Sequence, residues 1–378
     1  MFKLKNKTIL LISPQSWGKM HISKHHYAIE LAQNNKVYFL NPPRRKTFPK
    51  ITVESHKSID NLFIVSYSFF FPYNLRFHSR VLFDKLQKYQ IKFILNRIKK
   101  IDITWCFDTI SFSNLNFFNS NISIYHPVDN ISGNNQKKMI QTSDFIFSVS
   151  SVIIEDLLRI SKTNKIKFIN HGLSKYFIEK TVVQEFHAFT EKTAYFMGNV
   201  LLGSLDREIT KKIIIQNPDV RFVFIGAYSD SNISGSDNES VSFVEFLKHA
   251  KNVTLKGGMH PKDAVVEICN ADVLMVLINP QKDINKGSNS HKILEYLSTG
   301  KVIVSNHIST YSDKRYLIEM VDEMHNKKLP ELFKKVISHL DYYNSSELQK
   351  KRIEFALDNT YEKQIRRIEK IISDKITI

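Results

Sequence analysis

Residues 273–305 read VLMVLINPQKDINKGSNSHKILEYLSTGKVIVS, and the fold follows from this stretch. An unbroken apolar run from Val273 to Ile278 stops at Asn279-Pro280 and gives way to a polar loop. A segment with Ile293, Leu294 and Leu297 at helical spacing then ends at Gly300, and a second apolar run follows from Val302 to Ser305. Short continuous apolar runs suit strands buried on both faces, as in parallel sheets covered by helices. Ser288 or Ser290 supplies an N-cap for the helix between them and Gly300 its C-terminal stop. The stretch is therefore a strand, a helix and a parallel strand.

Read outward, the same alternation recurs. Thr8–Ile12, 36–40, 62–66, 103–107, 122–126, 145–149 and 166–169 read as strands, with helices near 22–33, 75–101 and 152–160. A second series opens after an irregular segment at about 172–192, with strands at 194–197, 221–225, 252–255, 273–278 and 302–305. Its helices lie near 206–216, from Pro261 and from Asn289; residues 230–240 (DSNISGSDNES) read as a polar surface loop. This predicts an α/β protein with two doubly wound domains in tandem, and 378 residues suit two cores better than one. The expected divisions are 1–180, 181–355 and a final helix at 356–378. No Gly-x-Gly-x-x-Gly or Gly-x-x-x-x-Gly-Lys-Ser/Thr loop follows either first strand, which removes the main signal for dinucleotide oxidoreductases and phosphate-loop ATPases. Ligands of open parallel sheets sit beyond the carboxyl ends of strands, so the strand-to-helix loops are expected to wall a cleft between the two domains.

Composition narrows the partners. With 42% hydrophobic and 24% charged residues the chain is globular, and its two cysteines lack any Cys-x-x-Cys spacing and read as core thiols. No apolar run approaches the roughly 18–20 residues that cross a bilayer, and the N-terminus lacks a signal-peptide core; a cytoplasmic protein is expected. The net charge of +17 is uneven: residues 1–180 hold 27 Lys and Arg against 11 Asp and Glu, and residues 181–378 hold 27 against 26. A field concentrated on the first half points to an anionic partner. The basic segment 75–101, with Val81, Leu82, Leu86, Tyr89, Phe93, Ile94 and Ile98 at helical spacing, follows the aromatic run Phe69-Phe70-Phe71-Pro72-Tyr73. That pairing suits an anionic membrane surface, although an ordinary core-facing helix with a solvated basic face has the same pattern. Nucleic acid is not expected, because no recognition motif accompanies the charge.

On the quoted helix, Lys292 and Glu295 are three apart and share a face. A carboxylate there can accept two hydrogen bonds from a ribose diol, and the amides at the helix start, with Asn289, Ser290, His291 and Lys292 nearby, can hold a diphosphate. The alternative is a surface Lys–Glu pair worth a few tenths of a kcal/mol.

Residues 291–305 resemble the donor-site signature of the group 1 family of retaining glycosyltransferases with the GT-B fold. Tyr195-Phe196-Met197-Gly198-Asn199, Asn252 to Gly258, Ala271-Asp272-Val273, Ile169 to Leu173 and Asn359 to Lys363 resemble further pieces of that family, in order. The resemblance implies two Rossmann-like domains facing a cleft, an acceptor side in 1–180, a nucleotide-sugar donor side in 181–355 and a last helix that returns to the first domain. It implies that Glu295 binds the nucleotide's ribose, with Gly198, Asn199, Met259 and His260 also at the donor. Arg207, Lys256 or Lys292 would supply charge to the phosphates. Many members carry an acidic residue eight positions before the Glu; here that position is Gly287. At the end of the strand 122–126, His126 is expected against the donor sugar and Asp129 at the acceptor hydroxyl, unless the pair is a structural turn; Asp108 has the same geometry. Trp17 and Gly18 are expected to cover the acceptor, with packing as the alternative for Trp17. No Asp-x-Asp motif is present, so no metal or other cofactor is expected. The implied function is transfer of a sugar from a nucleotide-sugar to a lipid-linked or polysaccharide acceptor in envelope glycan synthesis, on the inner face of the cell membrane. Alternatives are another GT-B enzyme, such as an epimerase or inverting transferase, and a non-catalytic binding scaffold.

Overall fold

A computed structural model of the chain describes residues 2–18, 21–44, 50–108, 110–130, 136–181, 192–229 and 238–376. In it, the apolar runs become strands buried on both faces. Strand β1 (Thr8–Ile12) sends Ile9 and Leu11 into one core cluster and Leu10 and Ile12 into another, because successive side chains point to opposite faces of a sheet. It is joined by β2 (Lys36–Leu40), β3 (Ile51–Ser55), β4 (Leu62–Tyr67), β5 (Ile103–Cys106), β6 (Ile122–Tyr125), β7 (Phe145–Ser148) and β8 (Ile166–Phe168). The order across this sheet is β3-β4-β2-β1-β5-β6-β7-β8. All neighbours are parallel except β3, which runs antiparallel to β4 at the edge. The sequence expectation omitted β3: Ile51, Thr52 and Val53 are only partly buried, so no continuous apolar run marks it.

The second sheet holds β9 (Lys192–Met197), β10 (Val220–Ile225), β11 (Val253–Gly257), β12 (Val273–Val276), β13 (Val302–Ser305) and β14 (Glu319–Met320). Its order is β11-β10-β9-β12-β13-β14, all parallel. Chain order reverses between β9 and β12, which makes their carboxyl ends the switch point where doubly wound sheets take ligands. Val273 and Met275 enter one core cluster and Leu274 and Val276 the other.

The chain divides into two compact units, Met1–Gly172 with Tyr361–Ile378, and Leu173–Thr360. In the first, the final helix Tyr361–Ile376 buries Ile368 and Ile372 in the β1 core, and the Leu4 amide donates to Glu369 Oε2 at 2.6 Å. No helix of the described residues is long and apolar enough to cross a membrane.

Two local expectations are corrected. The polar segment 230–240 is not all loop, since Asn238–Ser240 open a helix that runs to His249; residues 230–237, like 182–191 of the irregular segment, lie outside the described residues. The basic stretch 75–101 breaks at Ser79 into Leu75–His78 and Arg80–Ile98. The long helix buries Phe83, Gln87, Gln90, Ile91, Ile94 and Ile98, and it exposes Val81, Leu82, Tyr89 and Phe93. Two glutamines are inside because each ties the helix to a loop: Gln87 donates to the Ser111 carbonyl and Gln90 Oε1 accepts from the Phe70 amide. Leaving the apolar residues out forgoes up to about 1.5–3 kcal/mol for each side chain that could have been fully buried. Of the aromatic run before it, Phe69 and Phe71 pack into the core and Phe70 stays exposed.

Candidate functional site

The site is built on helix His291–Ser298, whose apolar stripe anchors it to the second sheet. Ile293, Leu294 and Leu297 are fully buried, as is Tyr296, whose hydroxyl accepts from the Met197 amide at 2.8 Å. That bond fixes the helix to the carboxyl end of β9, one of the two strands flanking the switch point. Ser290 is the N-cap, its hydroxyl accepting from the Lys292 amide at 3.4 Å and its carbonyl from the Ile293 amide at 3.0 Å. Of the amides at the helix start, those of Lys292 and Ile293 are thus taken up by Ser290, the first through a long, weak bond. Gly300 stops the helix with φ +74°.

Lys292 extends from this helix toward Gly198, just past β9. A Cβ at Gly198 would lie 2.5 Å from Lys292 Nζ, and one on Gly226, at the end of β10, would run into the Gly198 carbonyl. Both glycines are therefore set by close approach, which lets two strand ends and a lysine share one small volume. The Lys292 ammonium also lies 5.9 Å from the Phe196 ring centroid. Beside it, Glu295 is half-buried, and burial pushes its carboxyl up to about 8 against the opposing pull of Lys292. Burial likewise lowers the Lys292 ammonium, with Glu295 opposing. Neither side chain has a hydrogen-bond or ion-pair partner within the protein among the described residues. A carboxyl and an ammonium kept desolvated without protein partners form a typical ligand-site signature.

The other expected donor-side residues divide. Arg207 is committed within the protein: its guanidinium bonds Glu239 at 3.2 Å and Ser240 at 2.6 Å, locking two helices together. Lys256 is likewise paired, 2.6 Å from Glu267. Of the three candidate cations, Lys292 is the one not committed to an acid at ion-pair distance. Asn199 uses its Oδ1 on the Leu201 amide, and His260 caps helix Pro261–Cys269 by accepting from the Lys262 amide. Met259 packs against the core of the second unit. Asn289 and His291 are half-buried at the helix start, adjoining Lys292 in sequence. Gly287 has φ +62°, and a Cβ there would meet Asn306 Nδ2 at 2.8 Å, so a larger side chain at this turn would be strained. The nearby carboxylate, Asp283, is bound to the Gly287 amide at 2.8 Å.

In the first unit, Asp129 is half exposed, and Lys24 Nζ reaches it at 3.8 Å from helix Ser23–Ala32. Lys24 is 3% exposed, and burial lowers its ammonium while Asp129 and Asp108 oppose the shift. Sequence inspection passes over Lys24 because a lysine in SKHHYAIELA reads as solvated; only its inward direction reveals it. His126 corrects the expectation of a sugar-facing residue. It is fully buried, 4.7 Å from the Phe107 ring and 5.4 Å from that of Tyr27, and burial holds it down to about 3, with Lys24 adding to the shift. Trp105 Nε1 donates to its Nδ1 at 3.2 Å, which leaves the proton of the neutral ring on Nε2. Asp108 accepts from the amides of Ile110 and Ser111, closing its own turn. Trp17 packs 4.9 Å from Phe39 and 5.2 Å from His25, as a core-packing residue, while a Cβ at Gly18 would make only an ordinary contact, 4.0 Å from the Ser16 carbonyl.

No known family model and no curated protein sequence matches the chain. Solved structures do. The α,α-trehalose-phosphate synthase (UDP-forming) of Burkholderia xenovorans, solved with glucose-6-phosphate, gives a TM-score of 0.71 at 7% identity, covering 97% of this chain and 100% of that one. HepE of Anabaena in complex with UDP gives 0.67 at 11% identity, covering 97% and 100%. A glycosyltransferase of Rickettsia africae ESF-5 gives 0.66 at 14% identity, covering 98% of each chain. Over 97–98% of its length, then, the chain has the α/β fold of these proteins, with the two parallel-sheet, Rossmann-like domains of the GT-B glycosyltransferases.

Proposed function

We propose that the protein is a glycosyltransferase that takes its sugar from a nucleotide-sugar, with Glu295 gripping the ribose diol and Lys292 facing the diphosphate. The observation that carries this reading is the Glu295–Lys292 pair: a desolvated carboxyl and a desolvated ammonium, lacking protein partners among the described residues, beside the switch point of the second sheet. Ligand hydroxyls donate to the carboxylate and ligand oxygens accept from the ammonium, so one small molecule satisfies both. Positive charge at a departing diphosphate stabilises the leaving group, the largest electrostatic contribution available to such a transfer. Uridine is the first base to test, since the structural neighbour HepE was solved with UDP.

On the acceptor side, this reading places Asp129 at the incoming hydroxyl, with the Lys24 ammonium 3.8 Å from its carboxylate. Transfer with retention, by same-face attack as the nucleotide leaves, needs no dedicated nucleophile, and the reading requires no divalent ion. The acceptor is a lipid-linked or polysaccharide glycan of the cell envelope, and the basic first unit holds the enzyme at the inner membrane face. Titration with UDP, GDP, ADP and CMP by calorimetry tests the donor half: one nucleotide should bind, and Glu295→Ala should weaken it while leaving the fold intact. Unchanged affinity in that variant sinks the reading.

Gly287, at the position where many members of the family it resembles carry an acid, favours a second reading: a donor-binding scaffold without transfer. Nucleotide binding with no turnover across donor and lipid-acceptor panels would decide for it.

A further inference from the structure

The face of helix Arg80–Ile98 left outside the core is not a random scatter. Leu82, Tyr89 and Phe93 fall in one row at helical spacing, exposed at 46%, 56% and 48%. Lys85, Lys88 and Lys92 flank the row on one side and Arg97 on the other. The helix's sole acid, Asp84, is occupied by Arg80 at 3.0 Å and Lys138 at 3.1 Å, so it does not neutralise the outward face. At the C-terminal half of the row, a cavity of about 650 Å³ opens between the helix and the β3 edge, lined by Lys50, Gln90, Asn96, Arg97, Phe70 and Phe93. No acid lines it. Neither Lys50 nor Arg97 has an ion-pair partner among the described residues. Gln90 is 2% exposed; its Oε1 is used by the Phe70 amide, while its amide nitrogen has no protein partner among the described residues and is left as a donor at the cavity.

We infer that this face docks on an anionic bilayer, with Lys50 and Arg97 holding one phospholipid phosphate in the cavity while Leu82, Tyr89 and Phe93 enter the headgroup zone. The inference rests on the membrane-apposed transferase reading for its setting and names where the contact is made. Two arrangements favour lipid over nucleic acid. The apolar row is central and the cations peripheral, as an interface between water and acyl chains requires; a polyanion would place cations at the centre. The cavity sets two cations, Lys50 and Arg97, beside two aromatic rings, Phe70 and Phe93, suited to a single phosphate with adjoining apolar chain.

The test is flotation of the full chain with vesicles of phosphatidylcholine alone or mixed with phosphatidylglycerol. Wild type should partition to the mixed vesicles, less so as salt rises. Lys50→Gln with Arg97→Gln should lower partitioning about thirtyfold, since each cation near an anionic surface contributes a factor of about five. Leu82→Ser with Phe93→Ser should lower it at every salt concentration, and inorganic phosphate at millimolar levels should not compete. The shift of thermal midpoint by nucleotide, which reports the other unit, should be unchanged in both variants and shows that they fold. Equal partitioning of wild type and variants overturns the inference and leaves membrane association standing. Absence of partitioning by wild type overturns both, and nucleotide binding separately keeps or removes the donor site. Preferential binding of single-stranded DNA through these residues also overturns it.

Discussion

Glu295 meets two opposing demands. Its surroundings favour the protonated carboxyl, up to about 8, whereas a ribose diol donating hydrogen bonds favours the ionised one. Nucleotide binding near pH 7 should therefore release up to about one proton, seen as a dependence of calorimetric heat on the buffer's ionisation enthalpy. Without ligand the sign is set by the raised value. The unfolded carboxyl titrates near 4.3, so between about pH 4 and pH 8 the folded state holds the extra proton and stability falls as pH rises. Glu295→Gln should flatten that fall, with a thermal midpoint above wild type at pH 8 and close to it at pH 4. Glu295→Ala should cost about 1.5–3 kcal/mol in nucleotide affinity, or roughly ten- to a hundredfold in Kd, the range for hydrogen bonds to a charged group.

At the scale of the element, the helix 291–298 matters through where it is pinned. Tyr296 carries no chemistry for the ligand, yet its hydroxyl bonds the Met197 amide and so sets the distance between Lys292 and the end of β9. Tyr296→Phe should cost about 1–3 kcal/mol by leaving a buried N–H unmet. Nucleotide affinity should fall with it, because the helix loses its register on the strand; denaturant unfolding and calorimetry read the two effects. Helix 80–98 illustrates the opposite economy: glutamines are drawn inside by loop hydrogen bonds and apolar side chains are left on the face proposed to meet lipid.

For the whole molecule, the first unit is completed by the far end of the chain. Ile368 and Ile372 are fully buried in the β1 core, and Glu369 accepts from the Leu4 amide. Deleting residues 361–378 should expose that core and yield an aggregating chain without a cooperative melt in calorimetry. Glu369→Gln, which keeps the packing, should cost only about 1 kcal/mol. The charge follows the same division of labour, with the basic first half carrying the proposed lipid face and the near-neutral second half the proposed nucleotide site.

The strands β9 to β13, the helix between β12 and β13, its Gly300 stop and the Lys292–Glu295 pair were legible in the amino-acid order, because fully buried strands and helix ends leave local, periodic marks. The edge strand β3 left none, being only half covered. Side-chain direction was also beyond local pattern. Whether Lys24 points inward to Asp129, whether His126 is walled in by rings, and whether Arg207 and Lys256 are spent on Glu239 and Glu267 depend on residues far apart in sequence. Order along the chain thus determined the two-sheet architecture and nominated the site, since hydrophobic periodicity is a short-range property. Packing alone decided which nominees keep uncommitted charge, because desolvation and hydrogen bonding are settled only when distant segments meet.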